Sequence, residues 1–141
     1  MKNLLKIAFI AVAIFVTSCG KADDSVSSKD LVGTWTAVSI FEDGVSQELS
    51  ECEKRTNIVF TETHLKMTPY EQDKNGNCNI ATKDIAEGTY SVSGNTITIK
   101  DGNNSSESAS ISLSGGKLTF SSVHKDLNGN DFRTGIVFVK K

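Results

Sequence analysis

The chain has 141 residues, a formal net charge of −2, 23% charged and 38% hydrophobic residues. That length holds one small domain and not two. The slightly acidic balance does not favour nucleic acid, whose binding needs a basic patch, so no nucleic-acid partner is expected.

The first segment is Met1-Lys2-Asn3-Leu4-Leu5-Lys6, followed by an uncharged apolar run from Ile7 to Val16. Two lysines before a run too short for a bilayer, which needs about 20 apolar residues, predict a secretory signal over residues 1–18. The run closes as Val16-Thr17-Ser18-Cys19, which resembles the lipobox of bacterial lipoproteins. That resemblance implies cleavage between Ser18 and Cys19 and a diacylglyceryl thioether on Cys19. The mature protein would then be held to a membrane by its acyl chains, each buried methylene contributing roughly 0.8 kcal/mol. The expected address is the cell envelope, at the outer membrane. Removing residues 1–18 takes away Lys2 and Lys6 and no acid, which moves the charge from −2 to about −4. Residues 19–30 are small and polar and predict a flexible tether. Within them Lys21-Ala22-Asp23-Asp24 resembles the acidic signal that sends some lipoproteins to the cell surface; a solvated linker is the alternative.

From Leu31 to Lys141 the pattern is strand after strand, with turn residues between and no helical stripe. Eight runs are expected, at about Gly33–Phe41, Asn57–Phe60, Leu65–Tyr70, Ala86–Ser93, Thr96–Lys100, Ser108–Ser114, Lys117–His124 and Phe132–Lys140. A long polar loop, Glu71 to about Lys83, separates the third from the fourth. Gly94-Asn95, Gly115-Gly116 and Asn128-Gly129 are the hairpin turns. Alternation within the runs selects an inward set of Trp35, Ile58, Phe60, Leu65, Met67, Tyr90, Val92, Ile97, Ile99, Ile111, Leu113, Leu118, Phe120, Ile136 and Phe138. Successive antiparallel runs predict an all-β, eight-stranded up-and-down barrel, with a sandwich as the alternative.

At Leu31-Val32-Gly33-Thr34-Trp35 the chain resembles the lipocalins, whose first strand opens on Gly-x-Trp. With Cys52-Glu53-Lys54, Cys78 and the hairpin from Gly88 to Ile99, it is similar to the short lipocalin-like domains of bacterial lipoproteins. The resemblance implies a non-catalytic protein that takes a small hydrophobic ligand at the open end of the barrel. From the inward set, Trp35, Phe60, Met67, Tyr90, Phe120 and Phe138 are the candidate ligand contacts. It also implies a late basic residue packed on Trp35, for which Arg133 is the candidate. A barrel filled by its own side chains, serving as a surface interaction or structural module, is the alternative function.

With Cys19 taken by lipid, Cys52 and Cys78 remain as an even pair in an oxidising compartment, and a disulfide is expected. No catalytic constellation, metal set or cofactor motif accompanies them: His64 and His124 are the only histidines, far apart and outside any catalytic pattern. Asp73-Lys74-Asn75-Gly76-Asn77, with Asp84 further on, spaces oxygen ligands as a calcium loop does, although Cys78 stands where such a loop turns on glycine. The competing reading is that Asp, Asn and Gly are turn residues, as in the similar cluster Asp126, Asn128, Asn130 and Asp131.

Overall fold

The computed structural model describes residues 25–103 and 105–141. Cys19, the signal and the first part of the tether lie outside the described residues.

The described residues open with a helical turn, α1 (Ser28–Leu31), inside the segment expected to be flexible. The expectation of a tether reaching residue 30 is corrected by local chemistry. Ser27 accepts from the Lys29 N–H, and the Asp30 carboxylate accepts from the Ser27 N–H at 3.2 Å, a capping box. Val26 and Leu31, the positions a hydrophobic staple uses, are both buried in the core cluster.

Eleven strands follow among the described residues: β1 (Gly33–Glu42), β2 (Val45–Glu48), β3 (Asn57–Phe60), β4 (His64–Thr68), β5 (Tyr70–Gln72), β6 (Cys78–Ile80), β7 (Ala86–Ser93), β8 (Thr96–Lys100), β9 (Ser106–Ser114), β10 (Lys117–Lys125) and β11 (Asp131–Lys140). Eight of them, β1, β3, β4 and β7 to β11, pair antiparallel in sequence order, and β11 pairs back onto β1 to close a barrel. The eight expected runs are these eight strands. The other three were not expected. β2 folds back on β1 through Asp43-Gly44, both at positive φ, which is the two-residue hairpin turn that Asp-Gly favours. β5 and β6 form a separate two-stranded ribbon within the stretch expected to be a loop. Pro69 ends β4, because it offers no N–H to the ladder, and the ribbon begins one residue later.

All fifteen residues of the inward set belong to the core cluster or pack against it. The register explains this: Trp35 faces Ile58, Phe60 faces Leu65, Val92 faces Ile97, and Leu118 faces both Leu113 and Phe138. A bulge at Val38 shifts the phase of β1, so that Ala37 and then Ile40 face inward, opposite Phe138 and Ile136.

The two ends of the barrel differ. One end carries the turns at 61–63, 94–95 and 115–116, and α1 lies there with Val26 and Leu31 as a plug. Trp35 Nε1–H donates to the Leu31 carbonyl at 2.7 Å, and Tyr90 Oη lies 2.9 Å from the Thr61 carbonyl and 3.3 Å from that of Ser28. The basic residue over Trp35 is Lys140, with Nζ 5.3 Å from the ring centroid, and not Arg133. Antiparallel pairing requires this, because Trp35 sits opposite Lys140 in the β1–β11 register. Arg133 lies near the other end of β11, where its backbone N–H donates to Asp43 Oδ1.

Cys52 and Cys78 form a disulfide, with Cα atoms 5.4 Å apart. It joins the segment between β2 and β3, which sinks Leu49 and Cys52 into the interior, to the β5–β6 ribbon. The enclosed loop, with a sequence separation of 26, accounts for roughly 3.5 kcal/mol in the chain-entropy model.

Two outcomes follow for stability. Leu31→Ala, a change in what would otherwise be a tether, should lower unfolding free energy in urea by about 2–5 kcal/mol, as for a buried leucine; an unchanged midpoint would separate α1 from the core. The double variant Cys52→Ser, Cys78→Ser should lose up to about 3.5 kcal/mol by the same measurement. Reduction should destabilise the unmodified domain alike and leave the double variant unaffected.

Candidate functional site

The half of the barrel under the plug is solid. Trp35, Phe60, Leu65, Ile97, Ile111, Leu118 and Phe138 are almost wholly buried there. Phe60 meets Tyr90 edge-on at 5.2 Å and lies parallel to Phe120 at 6.4 Å, and Phe120 meets Phe138 edge-on at 5.9 Å. Such pairs add about 0.5–1.5 kcal/mol each beyond area burial. Phe120 is the last ring of this stack toward the other end and forms the floor of what lies beyond.

The opposite end, the mouth, carries the turns at 43–44, 101–103 and 126–130 together with the β5–β6 ribbon. The interior is not filled there. A recess of about 360 Å³ lies between β1, β2, β9, β10 and β11; Ile40, Phe41, Ala109, Phe120 and Ile136 are among its apolar lining, and Glu42, Gln47, Ser122 and Thr134 among its polar lining. Gly135 admits the ring of Phe41 at its side, where any Cβ would collide with that ring. A second recess of about 240 Å³ shares Ile40 and Ile136 and continues under Leu49, Thr56, Met67, Pro69 and Tyr70. A third, of about 440 Å³, shares Met67 and reaches Ile85, Ala86 and Ile99 at the rim. The first and the third are each within the size range of small-molecule sites, about 300–1,000 Å³.

Of the six candidate ligand contacts, Phe120 and Met67 line these recesses. Trp35, Phe60, Tyr90 and Phe138 pack in the solid half. Ile40, Ala109 and Leu49 escaped the sequence reading. Ile40 is displaced in phase by the bulge at Val38, Ala109 is small, and Leu49 lies outside any strand.

Charge around the recesses is one-sided. Their linings include Glu42, Glu53, Asp84, Glu87, Asp101 and Glu107, against Lys83 as the single base. Glu87 is paired with Lys66 at 2.9 Å. Glu107 stands opposite Ile99, on the inward register of β9 at the rim. Hydrogen bonds from the Ser50 side chain and backbone hold the Glu53 carboxyl below its usual range.

The two histidines lie at opposite ends of the barrel and each contacts a neighbouring hydroxyl, His64 with Thr63 at 2.8 Å and His124 with Ser122 at 2.8 Å. Among the described residues no three His, Cys, Asp or Glu side chains are grouped to hold a metal.

The loop that resembles a calcium site is built as a turn. Asp73 Oδ1 accepts from the N–H groups of Asn75 and Asn77 at 2.8 Å, and Oδ2 accepts from the side-chain amides of Asn77 and Asn79. Asp126 repeats the pattern with Asn128 and Asn130, and Asp101 with Asn103 and Ser105. Each carboxylate therefore closes its own loop through N–H donors. Hydrogen bonds from the backbone and side chain of Asn77 lower the Asp73 pKa, and those from the side chain and backbone of Asn130 lower that of Asp126. A depressed folded-state pKa stabilises fully above the unfolded value, about 3.9, and the contribution is lost as pH falls through the depressed value. Asp126→Ala should therefore lower the melting temperature at neutral pH, with the difference from the unaltered domain closing in strong acid. Calcium or a chelator should leave both melts in place; stabilisation by calcium would restore the metal reading.

The sequence pattern and the closed barrel find their counterpart among known proteins. A model of the lipocalin-like domain matches residues 31–120. A search among curated proteins returned no match. Three solved structures are similar at low identity. One is an odorant-binding protein, OBP1, with 16% identity and TM-score 0.46, covering 83% of this chain and 75% of that one. Another is lobster apocrustacyanin A1, with 14% identity and TM-score 0.46, covering 83% and 70%. The third is aphrodisin, a sex pheromone from female hamster, with 18% identity and TM-score 0.35, covering 79% and 75%. Matched by that model from Leu31 through Phe120, the chain belongs to the lipocalin-like domain family.

Proposed function

We propose that this protein is a lipid-anchored, non-catalytic binding protein of the cell envelope that takes a small apolar molecule, uncharged or cationic, into the mouth of its barrel. The observation that carries the reading is the recess of about 360 Å³ above Phe120, lined mainly by apolar surface and lying beyond the well-packed half of the barrel. Anchoring is supported by the lipobox-like Val16-Thr17-Ser18-Cys19 and an outer-membrane address by the same segment. The preference in charge follows from the rim. A carboxylate ligand such as a fatty acid would bring its charge among Glu42, Asp84, Asp101 and Glu107, whereas an amine would be attracted. The family's habit of binding hydrophobic molecules agrees with this reading.

The filled-barrel alternative has its own support in the solid half beneath Phe120, which leaves the ligand only the mouth. The two readings part on one measurement. The domain is titrated with an uncharged fluorescent probe, N-phenylnaphthylamine, and with an anionic one, anilinonaphthalene sulfonate. Saturable one-to-one binding of the uncharged probe is expected, with weaker binding of the anion that improves as salt screens the rim. Ala109→Phe, which fills the first recess, should weaken binding at least tenfold at an unchanged fold by circular dichroism. No saturable binding by the unaltered domain would leave the interaction module standing.

A further inference from the structure

The way α1 is fastened determines which end of the barrel lies next to the chain leading back to Cys19. Val26 is buried in the plugged end. Tyr90 Oη contacts the Ser28 carbonyl, Lys140 Nζ donates to that of Asp30 at 3.3 Å, and Trp35 Nε1 donates to that of Leu31. From Cys19 to Ser25 there are six residue steps. Whatever their conformation, covalent geometry limits their span to roughly 20 Å, at about 3.3–3.6 Å per step. The ten residues of β11 measure roughly 30 Å along the strand at about 3.3 Å each, which becomes roughly 20–25 Å of barrel height at a tilt near 40°.

We infer that the lipid anchor holds the plugged end toward the bilayer and turns the mouth away from it, so that the recesses exchange their ligand with the aqueous side and not with the membrane carrying the protein. The inference rests on the reading of Cys19 as the lipid site. An inverted posture would need the connecting segment to travel the full height of the barrel and around its rim, which uses up or exceeds its length. Charge acts in the same sense. The carboxylates of Glu42, Asp84, Asp101 and Glu107 at the mouth are repelled by anionic headgroups. The ligand is thereby narrowed to an amphiphile soluble enough to arrive through water as single molecules. A long-chain lipid drawn directly from the anchoring bilayer does not fit this geometry.

The test uses full-length protein purified from membranes and placed in vesicles whose headgroups carry an energy-transfer acceptor. Donor dyes are attached, without reduction of the disulfide, to Asn95→Cys in the plugged-end turn or to Leu127→Cys, a fully exposed side chain at the mouth. Transfer should be several-fold more efficient from position 95 than from position 127. Equal or reversed efficiencies in protein that floats with the vesicles would overturn the posture while leaving the anchor intact. Failure to float, together with a mass lacking the diacylglyceryl group, would overturn the anchor and the posture with it. Cys19→Ser provides the unanchored reference, with no transfer from either dye.

Discussion

The pairing of β11 with β1 is the constraint on which the remainder of the molecule depends. Without it the sheet has two open edges and no inside. With it the first and last strands become neighbours, and everything attached to either is brought to a common place. At the plugged end this sets Lys140 beside Trp35, with its Nζ in reach of the Asp30 carbonyl. At the mouth it sets Asp43 beside Arg133, where the Asp43 N–H donates to the Arg133 carbonyl and its carboxylate accepts from the Arg133 N–H. The seam is thus fastened at both ends, by different chemistry. The bulge at Val38 lies between, and it is what lets one strand serve two jobs. Below it β1 presents Trp35 and Ala37 to a filled interior. Above it the phase is shifted, and Ile40 becomes a wall of the recess.

This division explains how a small barrel keeps both stability and open space. An eight-strand barrel has an interior just wide enough for side chains or for one small ligand. Here the length of the barrel is shared between those uses. Phe60, Phe120 and Phe138 stack across the middle, and the plug of Val26 and Leu31 seals the other side of the filled half. The mouth half receives less burial and is held by other means. The disulfide ties the ribbon of β5 and β6 to the segment carrying Leu49, and the Asp-capped turns rigidify the loops at 73–77 and 126–130. Cross-links and turn caps constrain a wall without occupying the space behind it, which bulky side chains cannot do.

Much of this was legible in the chain. Alternation is a local property, and strands half-buried on one face display it, so the eight barrel strands and all fifteen inward residues could be read directly. What escaped lacked that contrast. The four residues of β2 are all exposed and show no inside or outside. The strands of the ribbon have three residues each, too short for a period. Local signals did exist for some of these. Asp43-Gly44 is a hairpin turn by composition, and Val26-Ser27 with Asp30-Leu31 spells a staple and a capping box. The polar residues around α1 masked it as linker, because two apolar residues in a polar stretch do not raise its average. Being late and basic marks Arg133 and Lys140 alike, but register decides between them, and register is a long-range property.

The candidate site was less legible than the fold for a related reason. Sequence selects bulky apolar residues as candidates, and in a narrow barrel bulk is what removes space. Trp35, Phe60, Tyr90 and Phe138 are conspicuous in the chain because they are large, and being large they fill the plugged half. A cavity is marked by what is missing, here the short side chain at Ala109 and the half-buried edges of Ile40 and Ile136. Its polarity is marked by residues outside the apolar pattern altogether. Glu107 shows this most clearly. As a charged residue before an alternating run it reads as the edge of a turn, yet it continues the inward register of β9 by one step past Ala109. The same alternation that packs the core therefore carries a carboxylate to the rim of the recess, and the strand that builds the barrel also sets the charge at its entrance.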